Sequence, residues 1–301
     1  MSKVRRFLKI FKQELLLIIH ANRIIGRYMD IPAKRNRVNL FQYHPEKSYS
    51  NLWQNQPYNL GDSLGEVIVR FLLGQRGIDI DKPISKTKHL YCVGSNIHSG
   101  YQNATIWGSG TFPKSKIRVF FQKNCGRKLD IRAVRGPLTR KVMLQWGHLC
   151  PEVYGDPAIL LPLIYNPSVL KSQKRLIIPQ FYSEGEFRKN HPNEHMISMN
   201  TNDYKSVIKE ILASSIVYTS SLHGIILAEA YGIPAVFFRG LSKTVDFKYL
   251  DYYYSTGRHD VILSNSFEDA LKVSPPPLPD LSKLQEDLLN SFPYDLWEPE
   301  S

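Results

Sequence analysis

The stretch YTSSLHGIILAEAYGIPAVFF, residues 218–238, decides how the chain is read. With the three residues before it, it makes SIVYTSS, a short apolar run of the kind that forms a strand covered on both faces. Ser220 or Ser221 then serves as an N-cap and Leu222 to Tyr231 as a helix. Gly232 and Pro234 stop that helix before a second strand, PAVFF. This order puts His223 in the first helical turn, at the carboxyl end of a buried strand. A histidine elsewhere on a helix usually packs or faces water. Here the free N–H groups and dipole of the helix start also favour a bound anion.

The same alternation extends in both directions. Before it come VNLFQY, a helix near 62–74, then HLYCVGS, ATIWGSG, IRVFF and IRAVRG as short apolar runs, and a helix near 136–146. A second series holds KRLIIPQ, EHMISM, a helix over about 203–213, and the opening stretch. Strands alternating with helices predict an α/β architecture with a mostly parallel sheet, stated twice along the chain. The proline-bearing stretch YGDPAILLPLIYNPSVLKSQ separates the two series, so the boundary is placed near residue 168. The expected division is a basic segment over 1–37, one α/β domain over 38–168 and another over 169–301. After the PPP run, a capped helix over about 281–290 is long enough to cross back onto the first domain.

A chain of 301 residues, 43% hydrophobic, can bury one large core or two ordinary ones. The three cysteines are far apart, with neither a CxxC pair nor zinc spacing, which points to a reducing, cytoplasmic setting. The net charge of +12 is concentrated at one end: residues 1–37 hold ten cations against Glu14 and Asp30. Val4, Phe7, Leu8, Phe11, Leu15 and Ile18 recur there at helical spacing with cations opposite, a basic amphipathic helix. Such a helix, within residues 1–30, fits an anionic membrane surface on the inner face of the cell as well as it fits docking on its own protein. Its longest apolar run is far short of the roughly 20 residues that span a bilayer. With the charge confined to one segment and no reading motif, nucleic acid is not an expected partner.

Several motifs lie where strands give way to helices. Gly61, Asp62 and Ser63 open the helix near 62–74; Asp62 fits both a helix cap and a ligand contact beside a glycine turn. Gly108, Ser109 and Gly110 follow a buried-looking strand, as a tight turn or as the floor of a cleft. The third glycine of a dinucleotide fingerprint is missing. Asp156, between Gly155 and Pro157, suits a turn as well as a site. In IRAVRGPLTR, Arg135 stands at the strand end and is favoured over Arg132 as a clamp on carboxylate or phosphate. The lone Asp79-x-Asp81 pair has no neighbouring ligand, and no metal site is expected.

Together NLGDSLGEVIV, IWGSGT, IRAVRGPLTR, EVYGDPAILLP, SSLHGIILAEAYGIPAVFF, FKYLDYYYSTGR and FPYDLW resemble the polysaccharide pyruvyltransferase family, and within it the exopolysaccharide branch. The likeness runs in order over about residues 52–297 and leaves residues 1–50 outside it. It implies two Rossmann-like domains arranged as in glycosyltransferase-B enzymes. It implies transfer of pyruvate from phosphoenolpyruvate to two hydroxyls of a sugar as a cyclic ketal, with a lipid-linked or polymeric saccharide as acceptor and no cofactor. Through it, the family's histidine falls on His223 and an arginine on Arg135. Better-studied members carry Arg-Leu-His where this chain has Ser221-Leu222-His223, so another cation must hold the donor. Arg239, Lys243, Lys248 and Arg258 are the candidates, with Arg258 preferred. A nucleotide-sugar glycosyltransferase of the same shape and a non-catalytic membrane adaptor are the competing readings.

Overall fold

A computed structural model describes residues 3–19, 34–41, 59–111, 116–172, 174–180, 183–240 and 246–298. Helix α1 (Lys3–Ile19) leads into β1 (Val38–Leu40), α2 (Leu60–Gly74), β2 (Lys88–Tyr91), β3 (Ala104–Trp107), α3 (Lys116–Asn124), β4 (Leu129–Ala133) and α4 (Pro137–Gln145). A 3-10 helix over Pro157–Leu163 follows. Next come β5 (Arg175–Ile178), α5 (Glu184–Asn190), α6 (Tyr204–Ala213), β6 (Ile216–Thr219), α7 (Leu222–Ala230), β7 (Ala235–Phe237), α8 (Phe247–Ser255), α9 (Phe267–Ala270) and α10 (Ser282–Asn290). The strands form two parallel sheets, β1-β2-β3-β4 and β5-β6-β7.

The opening stretch forms as its pattern requires. β6 is flanked on both sides, with Val217 opposite Leu176 and Ala235, and Tyr218 opposite Ile177 and Val236. Thr219 turns the chain: its hydroxyl donates to Ile178 O (2.7 Å) and accepts from Ser221 N (2.9 Å). α7 is buried over Leu222–Glu229, as expected of a helix with apolar residues on every side. Ile225, Ile226 and Leu227 have no exposure, and each such side chain contributes roughly 1.5–3 kcal/mol.

One apolar core joins the two sheets. Leu60, Leu64 and Ile68 of α2 belong to the same buried cluster as Ile159 and Leu161 of the 3-10 helix and Ile225 and Ile226 of α7. The 157–163 stretch, expected as a loop leading to a boundary, is instead a helix that shares its buried side chains with α2 and α7. Its Ala-Ile-Leu-Leu run supplies enough apolar surface to be buried despite Pro157 and Pro162.

A second difference concerns IRVFF, expected as an extended run and found within α3. Its β-branched and aromatic content favours a strand, but tertiary contacts favour the helix. The Gln122 side-chain amide donates to His98 O (3.2 Å) and Gly100 O (3.1 Å). The rings of Phe121 and Phe11 of α1 lie 5.2 Å apart. EHMISM contributes only a single parallel bridge, Met196 to Ile177.

The last segment lies on the half built around the four-stranded sheet. Trp107 Nε1 donates to Leu288 O (2.9 Å) and Trp297 Nε1 to Ile80 O (3.1 Å). Arg132 pairs with Asp130 and Asp295 (both 2.8 Å) on the outer surface, away from the site described below. Among the described residues no helix is long and apolar enough to cross a membrane.

Candidate functional site

α2 and α7 meet where each begins. Gly61, in the first turn of α2, faces the His223 imidazole so closely that a Cβ there would fall 1.8 Å from Nδ1. Only glycine admits the ring. The opposite ring nitrogen, Nε2, points at Asp156 Oδ2, 3.8 Å away. That exceeds hydrogen-bond length, and neither atom has a hydrogen-bond partner.

Asp156 stands at the N-cap of the 3-10 helix, where Oδ1 accepts from Ala158 N (3.1 Å), leaving Oδ2 for the site. Arg135 lies two residues past the end of β4 and is wholly buried. Its Nε donates to Asp251 Oδ2 (3.1 Å) and its Nη1 to Ser95 Oγ (2.6 Å); Nη2 has no hydrogen-bond partner. Asp251, on α8, also accepts from Thr139 N (2.8 Å) and Thr139 Oγ1 (2.6 Å), tying α8 to the start of α4. The guanidinium packs on Gly110, where a Cβ would come within 2.3 Å of its central carbon.

The electrostatics separate the titratable groups. Burial, followed by the charges of Lys248 and Arg135, holds His223 down at about 3, so its imidazole is neutral. Burial pushes the Asp156 carboxyl up to about 7; Arg135 and the Ala158 N–H oppose this and Asp62 and Asp251 add to it. The Lys248 ammonium is lowered to about 8 by burial and then by Arg135, with Asp62 opposing. A neutral imidazole thus faces a carboxyl that keeps its proton near neutrality. Such divergent pairs divide acid and base work between them.

The residues anticipated from sequence fall into two groups. His223, Arg135, Asp156, Gly61 and Gly110 assemble, with Ser221 at the N-cap of α7 beside them. Ser109 supports this group, its hydroxyl donating to Gly94 O (3.0 Å) and its carbonyl accepting from Arg135 N (3.2 Å). Gly108 turns the chain at φ +79° against Pro157. Asp62 accepts from Asn59 Nδ2 (3.0 Å), and its other oxygen lies toward Gly94.

Arg258 does not join them. Its Nη1 and Nη2 bind both oxygens of buried Glu229 (2.7 Å each), its Nε binds Thr256 Oγ1 (2.8 Å), and its plane covers the Tyr253 ring. The expected second anion clamp is therefore a structural ion pair. Arg239 is likewise engaged, by Asp246 and Asn265, and Lys243 lies outside the described residues. Sequence reasoning passed over Asp251 and Ser95, which orient Arg135. The one signal for Asp251 is an acid inside the aromatic run FKYLDYYY. Asp81 pairs with Lys34 (3.0 Å), and no cluster that could hold a metal ion occurs among the described residues.

The profile of the family described as Polysaccharide pyruvyl transferase matches residues 59–240, which contain both helix starts and most of the site. An uncharacterised protein of Acanthamoeba polyphaga mimivirus is 27% identical over 209 residues, covering 64% of this chain and 69% of that one. A functionally uncharacterised protein of Klebsiella pneumoniae, known from its crystal structure, is 15% identical. Its match covers 84% of this chain and 94% of that one, with a TM-score of 0.45.

Proposed function

The chain belongs to the polysaccharide pyruvyl transferase family, and on that premise we propose that it moves pyruvate from phosphoenolpyruvate onto two hydroxyls of one sugar, closing a cyclic ketal and releasing phosphate. One observation carries the reading. Three buried polar atoms, Arg135 Nη2, Asp156 Oδ2 and His223 Nε2, lack hydrogen-bond partners around a single helix mouth. Buried polar groups are rarely left unsatisfied, because each costs about 1–3 kcal/mol; a substrate that binds there would complete them.

The chemistry assigns each a part. Donor C3 gains a proton, and C2 loses the phosphate oxygen and gains two sugar oxygens. Of the two hydroxyl protons released, one replaces the proton given to C3 and the other leaves with phosphate. Arg135 Nη2 takes the donor carboxylate, and the first-turn N–H groups of α7 around Ser221 take the phosphate. Asp156, protonated up to about 7, supplies C3. Neutral His223 accepts the proton of the attacking hydroxyl and, across 3.8 Å, returns it to Asp156 once a small side-chain rotation closes the gap.

The test is incubation with phosphoenolpyruvate and a panel of synthetic and lipid-linked saccharides, with phosphate release and product mass followed together. Phosphate release matched by a pyruvyl ketal is expected. Nucleotide release from a nucleotide sugar would instead identify glycosyl transfer. Neither product across a broad panel would leave a non-catalytic binding protein.

The acceptor is a lipid-carried sugar met at an anionic membrane surface. Val4, Phe7, Leu8, Leu15 and Ile19 are all exposed on α1, interleaved with exposed Arg5, Lys9 and Lys12, which is the composition of a helix that lies in a lipid interface. Phosphatidylglycerol vesicles should sediment the protein and phosphatidylcholine vesicles should not. Phe7→Ser with Leu8→Ser should abolish the difference; equal sedimentation with both lipids would remove the membrane from the account.

A further inference from the structure

With Arg258 committed to Glu229, a donor that carries both carboxylate and phosphate meets one buried guanidinium, Arg135, in this site. One cation is not enough for two anionic groups held close together beside buried side chains, since charge taken out of water must be answered by charge. Among the remaining cations, Lys248 is distinguished by its place in the fold. It sits in the first turn of α8, three residues before Asp251. Residues at i and i+3 share a helix face, and Asp251 uses that face to hold Arg135 and the start of α4. The next residue, Tyr249, anchors the same turn to the other helix of the site: its hydroxyl donates to Ser220 O (2.7 Å), one residue before the N-cap of α7. The Lys248 ammonium lies 4.8 Å from the centre of the Tyr249 ring.

What the ammonium lacks matters as much as where it stands. Among the described residues no carboxylate lies within ion-pair distance of it, and it donates no hydrogen bond. Arg135, Arg239 and Arg258 each hold an acidic partner. Lys248 shares its surroundings with a second cation: its charge and that of Arg135 both lower the His223 imidazole, and Arg135 also disfavours the Lys248 ammonium, with only the smaller effect of the Asp62 charge favouring it. Two neighbouring cations, one with an idle N–H and one whose ammonium has an aromatic face but no ion pair among the described residues, form an arrangement that an anion would complete.

We propose that Lys248 is the second cation of the donor site, binding the phosphate of phosphoenolpyruvate at the mouth of α7 while Arg135 binds the carboxylate. This rests on the donor reading above. It places the two anionic groups on α8 and the end of β4, both pinned by Asp251, and leaves donor C3 toward Asp156 and His223.

Calorimetric titration of the full chain with phosphoenolpyruvate tests it without reference to turnover. Lys248→Gln should weaken binding by about 10- to 100-fold, the loss of one charge-assisted contact, and Lys248→Arg should restore it to within a few-fold. Arg239→Gln, which removes one positive charge from the half-buried pair with Asp246 ahead of α8, should leave affinity unchanged. Thermal melts accompany each variant. Lys248→Met, which keeps the stem over Tyr249, carries the same test if the glutamine variant is unstable. Unchanged affinity in Lys248→Gln or Lys248→Met overturns the assignment and leaves the donor reading standing. An equal loss in Arg239→Gln also overturns it, since the effect would then be general charge. No binding of phosphoenolpyruvate by the unmutated chain overturns the donor reading, and this inference with it.

Discussion

Arg135 and Arg258 are both held by a buried acid, and the surroundings of the two differ in one respect. Around Arg258 everything is matched: Glu229 takes two N–H groups, Thr256 and Pro277 take others, and Tyr252 donates to Glu229 (2.8 Å). Around Arg135 the matching stops short, with Nη2, Asp156 Oδ2 and His223 Nε2 left over. The first arrangement fastens α7 to the chain following α8. The second leaves donors and acceptors over, which on the proposed reading the bound donor completes. Residue type does not separate the two; the tally of donors and acceptors does.

The sharpest way to break this contrast is at His223. His223→Ala should lower turnover by about 10²-fold or more in a chain that still folds, its melting temperature reduced by the cavity left beside Gly61 but not by a lost Nε2 hydrogen bond. Near-normal turnover would move the site elsewhere. On the other side, Arg258→Met should cost about 3–5 kcal/mol in denaturant unfolding by leaving Glu229 buried and unpaired, with phosphoenolpyruvate affinity unchanged in the folded fraction. A large affinity change with unaltered stability would reverse the two roles.

A smaller effect probes the incomplete side through pH. The folded chain keeps the Asp156 proton up to about 7, whereas the unfolded chain releases it near 4. Stability is therefore lost as pH rises through that window. Asp156→Asn keeps a cap for Ala158 and removes the cost, so it should gain roughly 2–4 kcal/mol at pH 8 and little at pH 4, while losing activity. His223 runs the other way. Its folded value of about 3 means the unfolded chain takes up a proton as pH falls below about 6.5, and stability drops there. A variant without the imidazole should lose that acid sensitivity.

Much of this was legible in the sequence where local chemistry decides. The 218–238 stretch carries its own strand, cap and stop, and Arg135 declares itself by standing just past a strand. The failures share a cause. IRVFF is helical because Gln122 finds His98 and Gly100 on a distant turn, and no propensity encodes that. Arg258 looked available because its partner Glu229 lies 29 residues upstream inside an apolar helix, and Lys248 looked ordinary for the same reason: pairing is settled in space. The 3-10 helix over Pro157–Leu163 was hidden by its prolines, which read as punctuation.

The contact between Gly61 and the imidazole has a use outside this molecule. Because a methyl group at position 61 and a ring at position 223 cannot share one volume, the two positions are not free to drift separately. A homologue that still carries the histidine in this pose is bound to a glycine there. One that has abandoned the chemistry is released from it. On the proposed role of His223, reading those two columns together would sort working members of the family from silent ones before any assay is run.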